Sequence, residues 1–247
     1  MNTMACVWIG TSGYVYPHWR KGVFYPEGLK VRDELAYYAG AFSTVELNNS
    51  FYRLPSAEMF ERWRDSTPDD FLFAVKVSRF ISHVKRLHDV AEPLRQFVRL
   101  ASRLGSKLGP LLVQLPPNLH LDIARLEEFL SQLPESYRWA IEFRHPSWQS
   151  PAAYEALARR AIALCVPIGG RIQPDLVTTA PFTYLRVHRG IDGKGYMGRR
   201  GLRPWAARVR ALARAGKDVY FYFNNDLGGH AVRDAMLLRE MLRHRPS

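Results

Sequence analysis

Ten polar residues recur at alternate positions of short apolar segments. Glu46 and Asn48 lie in residues 44–51, Lys76 in 71–78, Gln114 in 111–115, and Glu142 and Arg144 in 139–144. Arg186 and His188 lie in 183–188, and Tyr222 and Asn224 in 219–225. Their neighbours are apolar: Val45 and Leu47, Val75 and Val77, Ile141 and Phe143, Leu185 and Val187, Phe221 and Phe223. Successive side chains of a strand point to opposite faces, so each segment has one apolar and one polar face. Carboxylates and imidazoles exchange protons with a substrate. Guanidinium and ammonium groups grip anionic oxygens.

Glu46, Lys76, Glu142 and His188 are therefore the candidate catalytic groups. Either glutamate can serve as base or acid, and His188 as proton carrier. Lys76, set among cations, can form a Schiff base. Ligand contacts are expected from Ser12, Tyr14, Asn48, Tyr52, Gln114, Arg144, Trp148, Arg186, Tyr222, Asn224, Asn225 and Asp226. Two carboxylates face three fixed cations (Lys76, Arg144 and Arg186), so the surplus is positive and an anion is its complement. A set of satisfied internal ion pairs filling the barrel is the alternative for any single residue.

The loops beyond these segments continue the theme. Residues 189–201 hold five glycines and four basic residues, which lets backbone N–H groups approach an anion. Residues 224–230 lead directly into the last helical segment, whose free N–H groups favour negative charge. Asp226 there is equally an ordinary cap. The stretch after the third strand carries Arg79, His83, Lys85, Arg86 and His88 and reads as a charged surface. Tyr14, Trp19, Phe51, Tyr52 and Trp148 follow strand ends, where they either stack on a base or sugar or roof the barrel.

Elements that position such residues can be counted. Eight short apolar runs (6–13, 44–51, 71–78, 111–115, 139–144, 163–167, 183–188 and 219–225) alternate with helical patterns. The helical patterns cover 33–41, 57–64, 94–104, 123–133, 152–161, 205–215 and 229–242, with Pro204 expected at the opening of 205–215. The crossover 170–179 has no convincing helix. Strands alternating with helices imply parallel pairing, and eight units close into a TIM-type (β/α)8 barrel whose site lies at the C-terminal strand ends. The rival open sheet usually carries GxGxxG after its first strand, whereas this chain has Gly10-Thr11-Ser12-Gly13. A single domain over 1–247 is expected.

Composition narrows the class. Hydrophobic residues form 47% and charged residues 23% of 247 residues, a globular balance. The formal net charge is +12, with seven lysines against 28 arginines, which favours a phosphate-bearing small molecule or nucleic acid as partner or reflects an arginine-rich genome. No apolar run is long enough for a membrane span, and no signal-peptide pattern opens the chain. Cys6 and Cys165 sit in apolar runs and read as buried free thiols, consistent with a cytoplasmic protein. There is no GxSxG elbow, Walker loop or clustered metal-ligand spacing.

The residues also resemble a known family. Gly10-Thr11-Ser12-Gly13-Tyr14, Trp19 with Phe24-Tyr25-Pro26, Val45-Glu46-Leu47-Asn48, Phe51-Tyr52-Arg53 and Val75-Lys76 occur in order. Leu108-Gly109-Pro110, Gln114-Leu115-Pro116-Pro117, Glu142-Phe143-Arg144-His145, Ser147-Trp148, Arg186-Val187-His188 and Tyr222-Phe223-Asn224-Asn225-Asp226 follow, then His230-Ala231. Together they resemble the YecE-like family, domain of unknown function 72, over about Trp8 to Leu238. The resemblance implies a TIM barrel but no settled reaction. It also implies kinship with xylose-isomerase-like barrels, including metal-dependent apurinic endonucleases. The Lys- and Arg-rich axial set here disfavours a divalent metal, and no cofactor is expected. Tyr14 stands where the family usually has tryptophan.

The expected function is thus binding, and as an enzyme hydrolysis, of a phosphate-containing ligand, with a phosphodiester or nucleic acid preferred. A sugar-phosphate lyase or isomerase using Lys76, and a non-catalytic nucleic-acid-binding or adaptor protein, are the alternatives. The oligomeric state is not readable from the sequence.

Overall fold

A computed structural model describes residues 5–170, 176–190 and 195–243. Its strands are β1 (Val7–Thr11), β2 (Thr44–Leu47), β3 (Leu72–Lys76), β4 (Leu108–Gln114), β5 (Trp139–Glu142), β6 (Ala163–Ile168), β7 (Phe182–Val187) and β8 (Asp218–Phe223). They form one sheet in the order β1-β8-β7-β6-β5-β4-β3-β2, and every described pairing is parallel. A parallel bridge between Ser12 and Glu46 joins the two ends of that order. The result is the TIM-type (β/α)8 barrel that the alternation of elements predicts.

The helices are α1 (Glu34–Ala41), α2 (Asn49–Tyr52), α3 (Ala57–Asp65), α4 (Ala91–Ala101), α5 (Ile123–Ser131), α6 (Pro151–Arg159), α7 (Gly198–Arg214) and α8 (His230–Arg243). Asp122 caps α5 by accepting the Arg125 N–H at 3.0 Å. The chain divides into two compact units. Unit 1 is Met1–Glu46, Pro167–Gln173 and Phe182–Ser247; unit 2 is Leu47–Val166 and Pro174–Pro181.

In unit 1 the apolar parity of β8 meets its helix. Phe221 and Phe223 stack at 5.0 Å, and Trp205 of α7 meets Phe221 edge-on at 6.3 Å. The opposite parity fills the barrel with rings: Trp8 stacks on Tyr220 at 4.6 Å, and Tyr184 lies 5.3 Å from Tyr222. Gly10 lets β1 pass close to β2, since a Cβ there would stand 2.2 Å from the Thr44 carbonyl oxygen. In unit 2 the core comprises Val75, Leu111, Val113, Ile141 and Phe143, all buried.

Four sequence expectations need correction. The second strand ends at Leu47 rather than Phe51, because residues 49–52 coil into α2. The Ser50 hydroxyl there donates to the Lys76 carbonyl at 2.6 Å, which draws the chain out of extension. Helix α7 opens at Gly198, not at Pro204, which lies inside it. The buried Asp234 carboxylate accepts the N–H groups of Met197 and Gly198 at 2.9 Å each and so anchors an earlier start. Strand β4 begins at Leu108, three residues early. Cys6 is exposed, ahead of β1, whereas Cys165 is buried as expected. The crossover residues 171–175 and loop residues 191–194 lie outside the described residues.

Candidate functional site

In unit 1, β1, β2, β7 and β8 bring their polar faces together. Glu46 is wholly buried. It accepts hydrogen bonds from the Ser12 hydroxyl, from the Tyr184 hydroxyl at 2.7 Å and from Arg186 Nη2 at 2.7 Å. Arg186, 1% exposed, also donates to Ser12 Oγ at 3.0 Å. Tyr222 shares a 2.7 Å bond with Thr44 Oγ1. Burial first, and the Glu46 charge second, push the Tyr184 phenol well above its usual range. Burial does the same for Tyr222. Both rings therefore stay protonated, and Tyr184 remains a donor to the carboxylate. Glu46 and Arg186 thus form an internal ion pair with three donors on one carboxylate.

Other unit 1 candidates divide by exposure. His188 Nδ1 and Asn224 Nδ2 lie 3.3 Å apart, part-exposed beyond β7 and β8. Asn225 is 3% exposed and donates to the Gly195 carbonyl at 2.5 Å and to Asp234 at 2.8 Å, so it braces the start of α7. Asp226 accepts from the Trp19 indole at 2.6 Å and faces His18 Nε2 at 2.8 Å. Burial nonetheless raises its pKa, against the lowering effect of these two partners. The Tyr14 ring tilts against Tyr38 at 6.3 Å, and its carbonyl accepts the Tyr25 hydroxyl.

In unit 2, β3, β4 and β5 present a more cationic group. Gln114 Nε2 donates to Glu142 at 2.9 Å, and Arg144 Nη1 pairs with its other oxygen at 3.1 Å. Glu142 is buried, whereas the Arg144 side chain is 31% exposed. Lys76 Nζ stands 3.8 Å over the Phe51 ring, a cation–π contact. The edge of Phe51 meets His83 at 5.0 Å, and His83 shares a 2.9 Å bond with Ser82 Oγ. Burial, then the charges of Lys76, Arg79 and Arg144, push the His83 imidazole from 6.5 down to about 4. His83 is therefore neutral at pH 7.

The sequence places His83 in a charged surface stretch, and Tyr184 is not among its candidate residues. Tyr184 shares the parity of Arg186, so its signal was present. His83 stands on the single π-helical turn Phe80–Val84, beyond any strand, where alternation carries no information. Asn48 is half-buried just before α2, and Tyr52 is 74% exposed with its ring edge-on to Phe51. Trp148 is wholly buried, stacks on Phe143 at 4.7 Å and donates to the Leu119 carbonyl at 2.7 Å. Of its two expected roles it takes the packing one.

A testable consequence follows from His83. Between pH 6.5 and 4 the unfolded chain binds a proton that the native imidazole refuses, so stability falls as pH drops through that window. His83→Gln is expected to flatten this part of the stability profile, measured by urea unfolding at stepped pH. An unchanged acid limb would contradict the cationic surroundings described above.

Among the described residues, no group of three or more His, Cys, Asp and Glu side chains is placed to hold a metal ion. Glu142 is instead matched by Gln114 and Arg144, so the residues present do not fit the metal cluster implied by kinship with metal-dependent endonucleases.

The fold and its strand-end groups define a TIM-type α/β barrel with polar, partly cationic clusters on its axial face. The family model described as protein of unknown function DUF72 matches residues 8–247, and the chain belongs to that family. The UPF0759 protein YecE of Escherichia coli is 30% identical over 158 residues, 63% of this chain and 55% of that protein. The match thus spans about half the length of that relative. The UPF0759 protein YunF of Bacillus subtilis is 29% identical over 88% of this chain and 89% of its own. A crystal structure of a DUF72 family protein from Thermotoga maritima superposes with a TM-score of 0.85 at 31% identity, covering 97% of this chain and all of that one. No helix among the described residues is long and apolar enough to cross a membrane.

Proposed function

We propose that the protein binds an anionic, phosphate-containing ligand at the ends of β3, β4 and β5, and hydrolyses a phosphodiester there, with nucleic acid the preferred class. The observation that carries the reading is a cluster of groups: Lys76 Nζ stands over the Phe51 ring, Phe51 meets His83, and Arg144 pairs with the buried Glu142. The lowered basicity of His83 beside Lys76, Arg79 and Arg144 agrees with it. Glu142 is the carboxylate matched against them, through Arg144. Lys76 is buried, Arg144 is partly exposed and Arg79 is exposed, so the cluster opens to the surface, where a phosphate would complement its positive charge.

In this reading Arg144 and Lys76 hold phosphate oxygens by charge-assisted hydrogen bonds. Glu142, oriented by Gln114 and Arg144, is the acid or base. His83 enters neutral. A bound phosphate opposes the neighbouring cations, so the imidazole regains basicity as the ligand arrives and can accept a proton from an attacking water.

The test is a histidine NMR titration with inorganic phosphate. The His83 midpoint is expected to rise from about 4 towards the ordinary 6.5 as phosphate saturates. Hydrolysis of bis(p-nitrophenyl) phosphate, lost in Glu142→Gln, would then assign the reaction. A His83 midpoint that ignores phosphate, with no saturable binding, removes the proposal.

A further inference from the structure

Helix α7 carries six arginines and no acidic residue. Its inner side is fully used: Leu202, Ala206, Val209 and Leu212 are buried, and Trp205 packs on Phe221. Its outer side is different. Arg200, Arg203, Ala207, Ala211 and Arg214 are all exposed. Offsets of 3, 7, 11 and 14 residues return close to one line on an α-helix. These five residues therefore form one stripe about 21 Å long, at ~1.5 Å rise per residue.

The remaining arginines of α7 have partners. Arg199 pairs with Glu240 at 2.7 Å, Arg210 donates to the Met241 carbonyl, and Arg208 lies over Trp205 at 4.6 Å. Arg200, Arg203 and Arg214 have no acidic partner among the described residues. Like charges on neighbouring turns cost a helix stability, so the stripe does not serve the fold.

We infer that this stripe is a docking surface for the phosphate backbone of double-stranded nucleic acid. A guanidinium fork matches phosphate bidentately. Ala207 and Ala211 keep the space between the forks low, so a backbone can lie against the helix itself. The stripe spans about a dozen duplex charges at one per ~1.7 Å. An anionic membrane fits less well, because a surface-bound helix inserts large apolar side chains on its lipid face. This stripe offers only alanine and Pro204 there. The inference does not rest on the phosphate site at β3–β5, which uses none of these residues.

The test is fluorescence anisotropy of the full chain with a labelled DNA duplex of about 25 base pairs across a salt series. One variant combines Arg200→Gln, Arg203→Gln and Arg214→Gln. A control combines Arg32→Gln, Arg62→Gln and Arg99→Gln, exposed positions with equal charge loss. The stripe variant is expected to bind at least tenfold more weakly at about 100 mM salt, with a log–log salt slope shallower by about 2.5 to 3. The control is expected to lose less than half as much.

Equal losses in both variants, an unchanged slope, no duplex binding by the native chain, or tighter binding to phosphatidylserine vesicles than to duplex would each overturn the inference. The His83 titration with inorganic phosphate is independent of these outcomes, so failure of one reading does not mimic failure of the other.

Discussion

Glu46→Ala is expected to lower the free energy of unfolding by about 3–5 kcal/mol, because it leaves a buried guanidinium without its counter-charge. Arg186 is 1% exposed, and Glu46 is its partner at 2.7 Å. The same change strips the Tyr184 and Ser12 hydroxyls of an acceptor. At roughly 2–4 °C per kcal/mol for a chain of this size, the melting temperature should fall by about 6–20 °C. The informative comparison is Glu46→Leu combined with Arg186→Leu. Removing both charges abolishes the desolvation cost along with the attraction, so the double variant should recover most of the loss. Denaturant unfolding of the native chain, Glu46→Leu, Arg186→Leu and the double variant closes the cycle. A single variant that loses under about 1 kcal/mol would mean that water or another anion reaches Arg186, and the locked pair would be wrong.

That pair shows why much of this molecule could be read from its sequence. Parity along a strand is a hard geometric rule, and a one-residue slip would turn Val187 and Phe223 into the barrel and Arg186 towards the helices. The alternation in β2 and β7 therefore puts Glu46 and Arg186 on the polar face, and the two meet although they are 140 residues apart. The rule fails where side-chain chemistry overrides the backbone pattern. Ser50 ends β2 by reaching the Lys76 carbonyl. Asp234, far along the chain, supplies the anchor that starts α7 ahead of Pro204. Neither bond leaves a local trace. Tyr184 was overlooked for a different reason. Tyr184 shares the parity of Tyr222 and Arg186 but lies one turn of the alternation deeper than the strand ends, and its hydroxyl becomes a donor because it is buried beside a carboxylate. His83 escaped because its position on a π-helical turn is set by the path of the loop, not by any repeat.

Substituting the two cations of the β3–β5 cluster should separate a ligand site from an internal ion pair. Lys76→Met with Arg144→Met is expected to weaken inorganic phosphate binding by about 100-fold or more, since each charge-assisted hydrogen bond contributes roughly 1.5–3 kcal/mol. Lys76→Met removes one cation that otherwise lies over Phe51. Arg144→Met removes a cation and also uncovers the Glu142 carboxylate that it neutralises at 3.1 Å, so an incoming anion meets added repulsion. Adding Glu142→Gln in the Arg144→Met background should therefore restore part of the affinity. The size of that recovery decides the role of Arg144. If it touches the ligand, recovery stays incomplete, because its own hydrogen bonds to phosphate are gone. If it serves merely to satisfy Glu142, the neutral Gln–Met pair should bind phosphate as the native protein does, measured by isothermal titration calorimetry at fixed ionic strength.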